Sequence, residues 1–231
     1  MIPSSTTSKA RSLKLYHELM TNKVEDILLV SSPYDAFIME EEGRLSTRII
    51  NEYKGLNLSK PPRLTWVSSA SEAFEKLAVK KFDLILAMPS LDGTDVYSFS
   101  QRVKKRYSDL PFFMLLHDTC DVDHYVCQED THSIDRTYIW GGNADLLLAI
   151  IKNFEDEMNV AKDTKQADVR VIILVEDSPY HYSSILPVLY KQIVMQTQTV
   201  IEESINEEHR LLKMRGRPKV LVAHNYEEAM A

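Results

Sequence analysis

Ile27-Leu28-Leu29-Val30-Ser31-Ser32-Pro33-Tyr34 recurs as Ile172-Ile173-Leu174-Val175-Glu176-Asp177-Ser178-Pro179-Tyr180. Each copy reads as a short buried strand, a turn and the start of a helix. The first copy puts two serines after the strand, the second two adjacent carboxylates. That difference decides which copy can hold a metal ion.

The repeat continues. Pro62-Arg63-Leu64-Thr65-Trp66-Val67-Ser68-Ser69-Ala70-Ser71-Glu72-Ala73 aligns without a gap on Pro218-Lys219-Val220-Leu221-Val222-Ala223-His224-Asn225-Tyr226-Glu227-Glu228-Ala229. Both copies therefore carry a second strand and the opening of a second helix, as a domain duplication does. The sequence stops at Ala231, where a third strand is due in copy two. Two parallel strands do not cover their own faces and edges. The expectation is a fragment of a longer protein, or a unit completed by another chain.

Outward from the first copy, short apolar runs near 27–32, 64–67, 83–88, 111–116 and 137–140 read as strands. Between them Ile38, Leu45, Ile49 and Tyr53 share a helical face, as do Val96, Phe99 and Val103, and then Leu147, Ile150, Ile151, Phe154 and Met158. Five βα units in succession predict a parallel five-stranded sheet with helices on both faces. The expected organisation is an N-terminal extension over 1–25 with a short helix at Leu13–Met20, a domain over 26–159, a polar link over 160–169, and an incomplete second unit over 170–231.

In the second unit Pro179 lies 39 positions before Pro218, against 29 between Pro33 and Pro62. The extra length predicts a long helix, whose stripes Leu186, Leu189, Ile193, Val200 and Val194, Ile201, Ile205, Leu212 exceed what one small sheet needs. One reading is an extended core helix. The other is a homo-oligomer or interdomain contact through residues 185–213.

The chain has 231 residues, 44% apolar and 26% charged, with a net charge of −7 and a pI near 5.5. Such a balance gives no basic face for nucleic acid; the cluster Arg102, Lys104, Lys105, Arg106 reads as a solvated helix face. No apolar run approaches the ~20 residues of a membrane span, and Met1–Met20 lacks a signal-peptide core, so a cytoplasmic location is expected. Two cysteines give no disulfide framework.

Taken together, these residues resemble the receiver domains of two-component response regulators, over 27–158 as a whole domain and over 170–231 as the first part of another. The resemblance implies a flavodoxin-like (βα)5 fold with strand order 2-1-3-4-5 and a site at the carboxyl ends of the strands. It also implies an acidic pair after strand one, a phosphoacceptor Asp ending strand three, a Ser or Thr ending strand four and a Lys ending strand five. Copy one departs from that pattern throughout. Ser31 and Ser32 stand for the acidic pair, Met88 for the acceptor and Trp140 or Gly141 for the lysine, and the run ending at His117 offers no hydroxyl. A thioether neither attacks phosphorus nor binds Mg2+ usefully. The first domain is thus expected to be a pseudoreceiver with no cofactor. In copy two Glu176 and Asp177 form an expected Mg2+ half-site, usable once the domain is complete.

A closer resemblance rests on Ile27–Phe37, Asp145–Lys152 and Asn206–Leu212. These phrases look like the N-terminal region of bacterial phosphoenolpyruvate synthase-like (pyruvate, phosphate dikinase) proteins, where receiver-like domains precede the catalytic portion. The resemblance implies a regulatory front end, acting through protein partners or other domains of one polypeptide, with ATP and phosphohistidine chemistry elsewhere. A purely structural interaction module is the alternative.

His117, Cys120, His124 and Cys127 are dense enough to be weighed as a tetrahedral Zn2+ set, against an ordinary solvated loop. No nucleophile elbow and no glycine-rich phosphate loop is present. The chain itself is not expected to be an enzyme.

Overall fold

The computed structural model describes residues 18–43, 47, 49–51, 53, 60–91, 93–125, 131–141, 144–201 and 215–230. Leu45, Ile205, Leu212, Cys127 and most of the expected helix at 13–20 lie outside them. The first sheet consists of β1 (Asp26–Val30), β2 (Arg63–Val67), β3 (Leu84–Ala87), β4 (Phe112–Leu116) and β5 (Arg136–Ile139). All pairings are parallel and the spatial order is β2-β1-β3-β4-β5. The alternation of strands and helices predicts the parallel sheet, and this order is the flavodoxin-like one that the receiver resemblance implies. It brings the carboxyl ends of β1, β3 and β4 together at one mouth.

The strands read as continuous apolar runs because both sheet faces are covered. On one face Leu28, Val30, Ile85 and Ala87 pack with Ala73 and Leu77 of α2 (Ala70–Val79) and with Val96, Phe99 and Val103 of α3 (Val96–Arg106). On the other, Ile27, Leu29, Leu86 and Met88 meet Ile49, Tyr53 and the apolar face of α5 (Ala144–Ala167). Each fully buried Val, Leu, Ile, Phe or Met side chain among them contributes about 1.5–3 kcal/mol. Helix α1 (Pro33–Gly43) follows β1, and the short α4 (Cys120–Tyr125) follows β4.

Asp26 opens β1 with its side chain 10% exposed, bonded by Arg63 Nε and Nη2 at 2.9 and 2.6 Å and by Lys80 Nζ at 2.5 Å. The Arg63 hydrogen bond, ahead of the opposing effect of burial, holds its pKa below the usual value.

Helix α5 departs from expectation. Residues 160–167, read as a link from their polarity, continue the helix, so that only Asp168–Arg170 separates it from the next strand. Beyond the apolar turns, Lys152, Asn153, Glu155, Asp156, Asn159 and Asp163 are all buried. Three of them hold the extended segment before β1. Asp163 accepts from Met20 N at 3.2 Å, Asn159 from Asn22 N at 3.0 Å and Glu155 from Val24 N at 3.2 Å. The same face receives the second unit, through Arg217 on Asp156, Lys219 on Asp163 at 2.9 Å, and the Asn153 amide on Val220 O at 2.9 Å.

The second unit comprises β6 (Val171–Val175), α6 (Pro179–Ile201), β7 (Lys219–Ala223) and α7 (Tyr226–Met230). β6 and β7 are parallel, and their register reproduces the first copy: Ile27 opposes Leu64 as Ile172 opposes Val220, and Val30 opposes Val67 as Val175 opposes Ala223. The caps match as well. Ser69 accepts from Glu72 N while Glu72 accepts from Ser68 N; Asn225 accepts from Glu228 N while Glu228 accepts from His224 N. Both are variants of the capping box in which the glutamate reaches the amide of the residue before the cap.

The long helix α6 turns Tyr182, Leu186, Tyr190, Ile193 and Val194 into the core it shares with α5. The described part of its expected stripe, Leu186, Leu189, Ile193 and Val194, is therefore used within the chain, and among the described residues the apolar side chains it exposes are Tyr180, Ile185, Val188 and Met195. It also closes the edge of the first sheet: Ser183 Oγ accepts from Ile139 N at 3.0 Å, and the Tyr182 hydroxyl donates to Thr137 O. An uncovered edge would offer a row of unpaired backbone groups.

Candidate functional site

The repeated sequence places two strand ends in comparison, one at β1 in the five-stranded sheet and one at β6 in the two-stranded sheet. In the first, the Ser31 amide donates to Val67 O at 3.2 Å, and Ser31 Oγ accepts from Trp66 Nε1 at 2.9 Å. Ser32 caps α1: its Oγ accepts from Asp35 N at 3.1 Å and donates to Asp35 Oδ2 at 2.7 Å. Met88 follows β3 and its amide donates to Val30 O at 2.9 Å. Its side chain is fully buried in the core that also holds Trp140, which is 5% exposed. The Trp140 amide donates to Leu116 O at 2.6 Å.

The fold thus gathers Ser31, Ser32, Met88 and Trp140 at the carboxyl ends of the strands. The chemistry there is that of hydroxyls already engaged and an apolar thioether. One acid is present that the sequence reading missed. Asp35, 5% exposed, meets His117 Nε2 at 3.0 Å through its second oxygen. The Ser32-x-x-Asp35 spacing is a capping pattern that signals this placement, but the pairing with His117, which follows β4, depends on strand order. With Ser32 on one oxygen and His117 on the other, Asp35 is occupied.

At the second strand end the Glu176 amide donates to Ala223 O at 2.9 Å, the counterpart of the Ser31 bond. The Glu176 carboxylate accepts from Ser178 N at 3.1 Å and lies 3.4 Å from His181 Nδ1. The Ser178 amide, with a smaller contribution from His181, holds its pKa below the ordinary glutamate value. Asp177 is exposed. Two oxygen-donor acids side by side suit a hard cation, but such an ion takes six or more oxygen ligands. Glu176 and Asp177 fit one side of a magnesium site. Among the described residues no group of three His, Cys, Asp or Glu side chains is arranged to hold a metal.

The zinc set does not assemble in the described part. His117 is spent on Asp35, and Cys120 is an exposed free thiol. No helix among the described residues is long and apolar enough to cross a membrane.

Solved structures similar to this chain include the signal receiver domain of an HD domain-containing protein from Pseudomonas fluorescens, at 22% identity and TM-score 0.41, over 56% of this chain and 86% of that one. The response regulator TrrA from Thermotoga maritima, in complex with Mg(2+)-BeF, is 16% identical with TM-score 0.43, over 55% of this chain and 96% of that one. The receiver domain of a sensor histidine kinase from Pseudomonas aeruginosa, with magnesium in its active-site cleft, is 18% identical with TM-score 0.41, over 57% and 98%. No family model and no curated protein matches the sequence.

Proposed function

We propose that this chain is a signalling module that works through protein contacts. Residues 26–159 form a receiver-like unit that has lost phosphoacceptor chemistry, and residues 170–231 form the first part of a second one that keeps its acidic pair. The observation that carries this reading is Met88, whose fully buried thioether stands after β3 where a receiver presents an aspartate. Ser31 and Ser32 supply no charge to a cation, and Asp35 is committed to Ser32 and His117. In the second unit Glu176 and Asp177 would hold Mg2+ through oxygen, and the ion would offset charge on a phosphoryl group.

The phrases at 27–37, 145–152 and 206–212 further suggest the regulatory front of a phosphoenolpyruvate synthase-like phosphotransferase, whose catalysis would belong to other parts of the polypeptide. An ATP-binding region and a phosphohistidine motif in the same open reading frame would bear this out; their absence from that frame would remove it.

Intact mass after incubation with acetyl phosphate and Mg2+ tests the central reading. The expected result is an unmodified chain. A stable phosphoryl adduct mapping within residues 1–160 would overturn it.

A purely architectural reading draws on the exposed Ile185, Val188 and Met195 of α6. In that case Val188→Glu lowers the mass measured by light scattering; an unchanged monomer leaves the stripe without a role.

A further inference from the structure

At the amino ends of β3 and β4, the end of the sheet opposite the mouth, the first unit holds an open cavity of about 640 Å³. Its wall comes from the last turn of α2 and the residues after it, the end of α3 and the turn that follows, and α5, with Lys23 from the segment before β1. A space of that size suits a small organic molecule.

Two kinds of surface meet there. Phe82 is buried, and Leu110, Phe154 and Met158 are half-buried against the cores on opposite faces of the sheet. Lys23, Lys80, Lys81 and Arg106 bring positive charge, against Asp83 and Asp109.

Part of this charge is used by the fold. Lys80 Nζ sits on Asp26 and lies over the Phe82 ring at 5.1 Å. Arg106 ends α3, where a cation offsets the helix dipole, and lies over the Tyr107 ring at 5.5 Å. Asp83 accepts from the Glu25 and Asp26 amides at 2.9 and 3.0 Å, and Asp109 from Ser108 Oγ at 3.2 Å. Lys23 and Lys81 are left over. Among the described residues no hydrogen bond or ion pair engages either of them. Lys23 lies on no helix and is half-buried. Burial, with a further push from Arg215, lowers its pKa below the ordinary lysine value. An ammonium so placed lacks a counter-ion.

A bare inorganic anion would leave Leu110, Phe154 and Met158 wet, and a neutral apolar molecule would leave Lys23 unpaired. We propose that this cavity binds a small organic anion, its carboxylate or similar oxyanion held by Lys23 and Lys81 and its apolar body lying against Leu110, Phe154 and Met158. Arg106, from the run read as a solvated helix face, adds to the positive field. The site lies across the sheet from Ser31, Ser32 and Met88 and uses none of the residues on which the receiver-like reading rests, so each stands or falls separately.

The probe is naphthoate, titrated into the whole chain by calorimetry, with naphthylmethanol and inorganic phosphate as its neutral and inorganic counterparts. The expected result is saturable one-to-one binding of naphthoate, with each counterpart weaker by roughly tenfold or more. Amide chemical shifts should move at Lys81, Phe82 and Leu110 and stay fixed at Ser31, Ser32 and Met88. Lys81→Gln, at an exposed position, is expected to keep the melting temperature and weaken naphthoate roughly tenfold, while Lys81→Arg retains binding. Lys23→Gln should weaken it to a similar degree. Four results would overturn the proposal: no saturation at millimolar naphthoate, equal affinity for the alcohol, affinity unchanged in K23Q or in K81Q, or shifts centred away from the cavity.

Discussion

Asp156 and Arg217 join the two units of the chain by a pair of hydrogen bonds, Nη1 to Oδ2 at 2.8 Å and Nη2 to Oδ1 at 2.9 Å, with side chains 0% and 2% exposed. The same carboxylate accepts from the Tyr190 hydroxyl at 2.9 Å and from Val220 N at 3.0 Å. One side chain on α5 therefore fixes α6, β7 and Arg217, two residues ahead of β7, at once. Burial is the largest single influence on Arg217 and opposes its charge, but Asp156 together with Tyr190 and Glu155 outweighs it, and the guanidinium pKa is raised further.

Removing half of this pair is expected to cost far more than removing both. Asp156→Asn leaves a buried guanidinium without a countercharge, and a loss of about 3–5 kcal/mol in urea denaturation is expected. The double change Asp156→Asn with Arg217→Met removes both charges while keeping an oxygen acceptor for Tyr190 and Val220 N, and recovery of more than half of that loss is expected. A double variant no more stable than D156N would contradict the assignment.

This joint was not legible in the sequence, for a physical reason. Charged residues on a helix are ordinarily solvated, so nothing in the sequence marks Asp156 as buried, and the polar residues from 160 on read as a link; only the arrival of Arg217 and Lys219 from a distant part of the chain buries Asp156 and Asp163. The sheet was legible because its strands are covered on both faces and so appear as unbroken apolar runs, and because Ile27–Val30 and Ile172–Val175 repeat. The apolar stripe of α6 was visible too, but not its target: Leu186 and Ile193 face α5 in the same chain, and periodicity carries no information about which surface answers it. At the first mouth Ser31, Ser32 and Met88 were placed by counting from the strands, while the Asp35–His117 contact needed the order in which β1, β3 and β4 lie.

Acid sensitivity should reside partly in Asp26. Its folded pKa lies below the usual 3.8, mainly through Arg63. The stabilisation is therefore complete above the unfolded value and lost as pH falls through the folded one. Urea midpoints of the chain and of Asp26→Asn should differ at neutral pH and converge below about pH 4. Arg63 is 62% exposed, so added salt should narrow the neutral-pH difference. A gap that persists unchanged below that pH would assign the effect to packing instead.

Restoring the acceptor alone should fail. Met88→Asp puts a carboxyl among Trp140, Leu86 and Leu146, where burial without a hydrogen-bond partner costs about 1–3 kcal/mol even for the neutral acid. The expected outcome is a less stable chain that still gains no phosphoryl group from acetyl phosphate, since Ser31 and Ser32 give Mg2+ no anionic anchor. Adding Ser31→Glu and Ser32→Asp to that variant supplies the anchor, and a mass increase of one phosphoryl group is then expected. Phosphorylation of the single Met88→Asp variant would show that the serines are not what disables the site.

The last expectation concerns how α6 closes the first sheet. Ile139 ends β5, and its amide finds Ser183 Oγ at 3.0 Å in place of a sixth strand. Ser183 is 6% exposed, so Ser183→Ala leaves the donor with little access to water. A loss of about 1–3 kcal/mol is expected, the cost of an unsatisfied buried amide. Tyr182→Phe should act on the same edge by freeing Thr137 O, with a smaller effect because a carbonyl keeps a second lone pair. Native-state hydrogen exchange separates this from a general loss of helix packing. The Ile139 amide should exchange faster in S183A while amides in β1 keep their rates; equal acceleration throughout the sheet would mean that Ser183 matters to α6 alone and not to the edge it covers.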